Sequence, residues 1–567
     1  MSQVEQDRQA ILDAKQVGWV ATLMTYARLS GPGWLQGAIT LGGGSLAGSL
    51  YLGVIGGYEM MWLQPLMMIL GIVMLSAIGY VALSTGERPF DAINRHVNPV
   101  LGWGWAIATL MANLVWAMPQ FSLGTAAMQQ NLFPELLGSD TGKYIAVGLL
   151  FGVSALVIWF YESGGWGLKL FEILLKSMVA IVVLSFFGVV IAMSSKGGGL
   201  AWGEILAGFI PDLSLLDRPA AAFEAALKDS THAQYWREEI LSTQRDRMVT
   251  AAATAVGINM TFLLPYSMLK RRWSKDFRGL ASFDLATGLF IPFVLATSCV
   301  VIASASQFHG EYDKGLVGEA EMTEQSAKLE GKYQKGIDDR IKALGSEVEI
   351  SVAEKKISSM LVKRDAWQLA GSLDRLTGEG SGSSQLIFGI GVLGMALSTI
   401  IILMLINGFT ICEMFNLPMS GMAYRVGSFL PGITGALGFL FLWGDSESRL
   451  ALAIPTSVFG LCLLPLAYIT FILLMNNRTV LGDNMLQGGK RTAMNIAMGV
   501  AFVAASIGAG FAIWSKTKFY FGSGWYGVGA VALLVVAAIV IRPIPEAEPE
   551  AEETAAPEDD PGGAEEA

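Results

Sequence analysis

Residues 30–62, SGPGWLQGAITLGGGSLAGSLYLGVIGGYEMMW, form an apolar run long enough to cross a bilayer, yet Gly42, Gly43, Gly44 and Ser45 interrupt its middle. Spanning the hydrocarbon takes roughly 20 residues. Unpaired backbone N–H and C=O groups are costly in lipid, so a crossing segment is helical. A broken helix is tolerated there only where it is buried in protein or lines a cavity. Each glycine costs roughly 1 kcal/mol against alanine inside a helix. Packing between membrane helices spaces its small residues four apart, whereas three glycines in succession unwind a turn. The run predicts a discontinuous helix, and such helices carry the substrate sites of transporters near the bilayer midplane. Close helix packing is the plainer alternative.

About twelve apolar spans recur between residues 32 and 541, and 53% of the 567 residues are hydrophobic. This pattern places the chain among polytopic all-α membrane proteins. It divides into a polar N-terminal segment (1–29), a membrane domain (30–541) carrying two polar inserts (197–247 and 308–384), and an acidic tail (542–567). Residues 543–567 of it hold ten acids and neither Lys nor Arg, and so account for the whole formal charge of −10. Its Pro-, Ala- and Glu-rich composition predicts disorder. The second insert repeats Tyr333, Ile337, Ile341 and Leu344 at helical spacing, with a less regular repeat through Ile357, Met360, Leu361 and 368–376. A helical hairpin capping one face of the membrane domain is expected.

Cys299, Cys412 and Cys462 lie in or beside apolar spans and read as small buried side chains. With His96, His232 and His309 scattered, no metal cluster, cofactor site or catalytic constellation emerges, and no motif for nucleic acid is present. The expected partners are lipid and a small transported solute. Lys270, Arg271 and Arg272 after the sixth span, together with Arg88, Arg95, Arg478, Lys490 and Arg491, favour cytoplasmic termini by the positive-inside rule. Lys516 and Lys518 oppose it.

The sixth span, VGINMTFLLPYSMLKRRW, carries Asn259, Thr261 and Pro265 within an apolar run. Interruptions in the first and sixth spans are the pattern of an inverted five-plus-five repeat, with the site where the breaks meet. Gly42, Gly43, Gly44, Ser45, Asn259, Met260 and Thr261 are therefore the candidate substrate-binding residues, and both breaks are expected to face one polar cavity.

The first span resembles that of the Nramp divalent-metal transporters. Those open with GPG, run eight residues to a DPGN break and reach a Trp seventeen residues later. Here Gly31-Pro32-Gly33, eight residues, Gly42-Gly43-Gly44-Ser45 and Trp62 keep that spacing. The resemblance continues through Asp284 and Phe308-His309 in the seventh span, and through IFGIGVLGMALST in the eighth, close to the family's LFGIGLLAAGLSS. Arg425 and Pro431, then Leu464-Pro465 and Gly482, extend it. It implies a leucine-transporter-like fold and a role as a transporter rather than an enzyme, in a bacterial plasma membrane.

The family's functional residues are mostly replaced. Its metal-binding Asp falls on Gly42 and its Asn on Ser45. Its sixth-span MPHN falls on Asn259, Met260, Thr261 and Phe262; a shift of one residue would put its Met on Met260. A downstream His falls on Tyr266, and a tenth-span Gln on Leu463. The proton-route acids of a TDLAEV motif fall on Asn113 and Trp116. Transition metals favour carboxylate, imidazole or thioether ligands. Neutral oxygens suit a weakly held cation, such as Mg²⁺ that keeps several waters. The implied function is divalent-cation transport without the usual proton coupling. The alternatives are a carrier for a small organic solute such as an amino acid, or a non-transporting sensor.

Overall fold

The computed structural model describes residues 2–163, 165–195, 199–345, 349–362, 383–442 and 453–541. Among these, ten helices are long and apolar enough to cross a membrane. An eleventh span is the pair Pro32–Thr40 and Gly43–Met60, bent by 54° at its break. Trp525–Val540 is apolar but shorter, at 16 residues. The architecture is an all-α membrane bundle of ten to eleven spans plus this last short helix.

The outer side chains suit a lipid solvent. On helix Gly488–Phe521, Ile496, Val500, Val503 and Ile507 recur at helical spacing, and each is more than half exposed. In water such a stripe would mark an interaction face; in a bilayer it faces acyl chains. The interior is tightly packed around buried aromatics. Trp105 stacks near Phe262 with ring centroids 4.7 Å apart, and its Nε1 donates to Thr261 Oγ1 at 2.9 Å.

Three close backbone approaches seat the first span. Gly31 and Gly33 N–H donate to the Asp284 carboxylate at 3.0 and 2.7 Å, so a buried acid caps the start of helix Pro32–Thr40. A Cβ on Gly33 would overlap the Asp284 backbone, and one on Gly37 would overlap Gly288. The Gly-Pro-Gly motif thus docks this half-helix on the start of the seventh span. Asp284 acts as a cap there, where an acid complements both the orphan N–H groups and the helix dipole.

The sixth span starts earlier than its apolar stretch. Helix Ala233–Ala253 begins inside the polar segment 197–247 and runs into the membrane domain; a break at 254–257 separates it from Ile258–Lys270. Its first half is polar and lies in the insert, so hydropathy alone does not reveal where the helix begins. Helices Glu324–Leu344 and Val352–Leu361 pack Leu316, Leu329, Tyr333 and Ile337 into a small separate core, whereas Ile357 and Met360 join the main one. Arg340 and Glu354, both fully buried, pair at 3.0 Å. Glu354 also accepts from Trp236 Nε1 at 3.2 Å and lies 3.1 Å from His232 Nδ1. Burial pushes the Glu354 carboxyl up, but hydrogen bonds from Ser351, Trp236 and Arg340 hold it below its ordinary value. The expected helical stretch 368–376 and the acidic tail lie outside the described residues.

Several basic residues outside the inserts pair with acids. Arg88 pairs with Glu413 at 3.4 Å, Arg271 with Glu172, and Arg8 of the N-terminal helix with Asp276. Asn98 Nδ2 donates to the carbonyls of Ala538 and Ile541, which places the end of the last helix beside the start of helix Pro99–Ala126.

Candidate functional site

The two breaks meet. A small cavity of about 50 Å³ is lined by Thr40, Gly42, Gly44 and Ser45 of the first span and by Thr254, Gly257, Asn259 and Met260 of the sixth. Trp116 and Gln120 of span Pro99–Leu132, Thr399 of span Leu386–Met414, and Thr456 complete the wall. Five of the seven residues expected from the sequence line it. Gly43 and Thr261 do not: Gly43 N–H donates to Gln120 Oε1 at 2.8 Å, and Thr261 receives Trp105 and donates to the Ile258 carbonyl.

Both breaks sit slightly before their expected positions. The first is Leu41–Gly42, and Gly43, Gly44 and Ser45 already belong to the first turn of helix Gly43–Gly56. The second is at 254–257, and Asn259, Met260 and Thr261 open helix Ile258–Lys270. Capping is the physical reason. Ser45 Oγ accepts the Gly42 N–H at 3.1 Å, and Asn259 Oδ1 accepts the Met260 N–H at 2.9 Å. A polar side chain able to take an orphan N–H stabilises a helix start, so these residues begin helices instead of interrupting them.

Four of the N–H groups at the two helix starts are therefore taken by the protein itself. Gly42 is held by Ser45, Gly43 by Gln120, Met260 by Asn259, and Gly257 lies 3.4 Å from Met260 Sδ. The carboxyl ends of helices Pro32–Thr40 and Ala233–Ala253, where the helix dipole is negative, border the cavity through Ile39, Thr40, Ala253 and Thr254; the carbonyls of Ile39 and Ala251 there accept from Thr399 and Thr254. The Met260 thioether sits between the breaks, 3.1 Å from Thr40 Oγ1.

Two side chains shape the space. A Cβ on Gly42 would overlap Thr399 Oγ1 and lie 3.2 Å from its Cγ2, so Thr399 fills the room a side chain at position 42 would need. The Trp116 ring wedges against Gly257 and Gly460, since a Cβ on either would overlap it, and its Nε1 donates to the Thr456 carbonyl. Asn113 Oδ1 accepts from Asn259 Nδ2 at 3.2 Å. The neutral pair at 113 and 116 thus packs directly onto the sixth-span break. No group of three or more His, Cys, Asp or Glu side chains able to hold a metal occurs among the described residues. Buried Asp284 and Glu413 are engaged elsewhere, with the first-span start and with Arg88.

A family model described as "Natural resistance-associated macrophage protein-like" matches residues 33–336 and 352–512, most of the chain. The chain belongs to the Nramp family. Crystal structures of a manganese transporter from Eremococcus coleocola share the fold. One point mutant overlays with a TM-score of 0.62 at 13% identity, covering 91% of this chain and 94% of that one. A second mutant gives the same values. Its complex with an aromatic bis-isothiourea substituted compound gives 0.61 at 14% identity, covering 92% and 94%. No curated protein matches by sequence. The Nramp model ends before helix Trp525–Val540, so that last helix lies beyond the family match.

Spans three, eight and ten contribute residues that the sequence pattern did not single out: Gln120, Thr399 and Thr456. Trp116 was marked by the Nramp resemblance alone, as the position of a missing acid.

Proposed function

We propose that this Nramp-family protein carries a divalent metal cation through the cavity between the first and sixth spans, with Gly42, Gly44, Ser45, Asn259 and Met260 as its substrate-facing residues and Gly43 and Thr261 as their supports. The supporting observation is what borders the cavity. Four N–H groups at the helix starts, those of Gly42, Gly43, Gly257 and Met260, are engaged by Ser45, Gln120, Met260 and Asn259 and so are not offered to an organic carboxylate. The carboxyl-terminal ends of two half-helices and one thioether face the same space, and these attract a cation. The manganese named for the Eremococcus protein is consistent with this class of substrate, at an identity that carries the fold alone.

The ligands are neutral, so binding is weak and selection among divalent ions is poor. A cavity of about 50 Å³ has room for water beside an ion, so a cation there keeps part of its hydration shell. The two broken spans fit an inverted five-plus-five repeat. Proton coupling by the usual route is absent, because Gly42, Asn113, Trp116 and Tyr266 do not titrate near neutral pH; Tyr ionises near ~10. Both termini are cytoplasmic and the inserts external. Lys516, which counts against this orientation, pairs with Asp246 at 3.3 Å and so loses most of its weight as a topological signal.

Uptake into proteoliposomes of Mg²⁺, Mn²⁺ and a panel of amino acids, with an internal pH dye, tests these points. Divalent uptake without acidification is the expected result. Amino-acid uptake, or proton entry lost only on changing these four positions, refutes it.

A further inference from the structure

On the insert side, the wall between the cavity and the exterior is thin and carries a buried cation. Helices Gly43–Gly56 and Ala233–Ala253 leave the cavity side by side. A Cβ on Gly48 would lie 3.2 Å from Ala251 Cα, so the two backbones meet there. Ser49 Oγ, Gln64 and Thr254 Oγ1 brace the contact through hydrogen bonds of 3.0 and 3.3 Å. One layer further out, the Arg247 guanidinium lies 5.2 Å above the Tyr51 ring centroid. Arg247 is only 5% exposed and Tyr51 2%. Beyond them opens a wider cavity of about 380 Å³ under the insert, lined by Arg247 itself with Glu239, Lys332, Lys335 and Asp339 among others. At a rise of 1.5 Å per residue, Arg247 stands roughly 10 Å along its helix from Thr254 at the inner cavity.

We propose that Arg247, stacked on Tyr51, is the gate between the inner cavity and the insert-side vestibule, and that its charge filters what passes. This rests on the inner cavity being the transport site. Burying a guanidinium is expensive unless it is well paired. Its partner here, Asp246 at 3.3 Å, is shared with Lys516, so the trio keeps a net positive charge. An aliphatic side chain would cover Tyr51 at lower cost, so the charge serves something other than packing. Glu239 and Asp339 line the vestibule beside Lys332 and Lys335, so a guanidinium that swings off Tyr51 finds carboxylates there to pair with. A cation moving inward meets the fixed charge while the stack is closed and passes once it opens. The gate slows cation entry and contributes to selectivity that the neutral ligands below do not supply.

The test uses the full-length protein with its three cysteines replaced by serine and Ser45→Cys introduced, in intact cells. Membrane-impermeant thiosulfonates carrying either a quaternary ammonium or a sulfonate are applied from outside. Lys342→Cys on the exposed insert helix reports which face meets the reagent. With Arg247 present, labelling at position 45 is slow and the sulfonate reacts faster. Arg247→Gln speeds the cationic reagent by about tenfold, the scale of one unit charge at this distance in a medium of effective dielectric about 20, and abolishes the preference. Tyr51→Leu speeds both reagents and keeps the preference; Arg247→Lys also keeps it. Should Arg247→Gln fail to fold, these last two carry the test. Equal labelling in all variants while labelled protein loses uptake overturns the gate alone. Uptake that survives complete labelling at position 45 overturns the transport-site reading beneath it.

Discussion

Rebuilding the missing metal ligands should succeed only if Thr399 is removed as well. Gly42→Asp with Ser45→Asn restores the ends of the family's DPGN break. The backbone permits it: Gly42 has φ −122° and ψ −173°, extended geometry open to any residue. Space does not, because the new Cβ overlaps Thr399 Oγ1 and sits 3.2 Å from Cγ2. Threonine is stiff at χ1, and overpacking of this kind costs about 1–3 kcal/mol. Against this stands the charge. A carboxylate 4 Å from a divalent ion gains about 8 kcal/mol at an effective dielectric of about 20. Desolvating the acid takes back several of these, leaving roughly 2–4 kcal/mol.

The double mutant should therefore gain at most a few-fold in Mn²⁺ affinity, and adding Thr399→Ala should raise the gain to about 30-fold or more, at about 1.4 kcal/mol per tenfold. Titration calorimetry with Mn²⁺ and Mg²⁺ on the wild type, double and triple mutants measures this, with Tm as a check on packing. A double mutant that gains the full affinity, with Thr399→Ala adding nothing, would show that Thr399 does not hold the space. Tight Mn²⁺ binding by the wild type, lost in Met260→Ala, would refute the premise that charge matters more here than a soft ligand.

Three further outcomes are expected. Gly257→Ala should destabilise the protein by about 1–3 kcal/mol through overlap with the Trp116 ring; a Trp116→Ala background should remove most of that increment, read as coupling in Tm. Asp284→Ala should lower Tm by leaving the Gly31 and Gly33 N–H groups without their acceptor, at about 1.5–3 kcal/mol per charge-assisted bond, while restoring no substrate selectivity. Glu354 is held below its ordinary value, so its contribution is present above the unfolded carboxylate pKa and lost as pH falls through the folded one. Hydrogen exchange in helices Glu324–Leu344 and Val352–Leu361 should therefore rise below roughly pH 4, and Glu354→Gln should show the same loosening at pH 7.

The first-span break was legible because three glycines leave few other readings, but its edge was not. Where a helix begins depends on which side chain can take the orphan N–H groups, and Ser45 does so from inside the glycine run. In the sixth span Pro265 drew attention, yet it lies within helix Ile258–Lys270. The break is upstream at 254–257, where Thr254 Oγ1 donates back to the Ala251 carbonyl and ends the preceding helix. Gln120 had no local signal, and Thr399 stood only as the last residue of IFGIGVLGMALST, because a polar residue in an apolar span shows neither what it faces nor what it caps. The vestibule was hidden for a similar reason: Arg247 fell in a segment assigned to the polar insert, and its contact with Tyr51 is purely tertiary.

The broken helices of this protein are partly capped from within, and this bears on how its binding can be observed. A site built around a buried carboxylate is strained until a cation or a proton neutralises it, so such a site gains stability when loaded. Here the helix starts at both breaks are capped by Ser45, Gln120, Asn259 and Met260, and the neutral wall has no charge to discharge. The unloaded form should thus be about as stable as the loaded one. Stabilisation by a ligand follows its concentration relative to Kd, reaching about 2.7 kcal/mol only at a hundredfold excess. A weak carrier working near its Kd would shift Tm very little even while transporting rapidly. Flux measurements, and labelling at Ser45→Cys, are accordingly the assays on which the function of this site turns, whereas thermal-shift screening would pass it over.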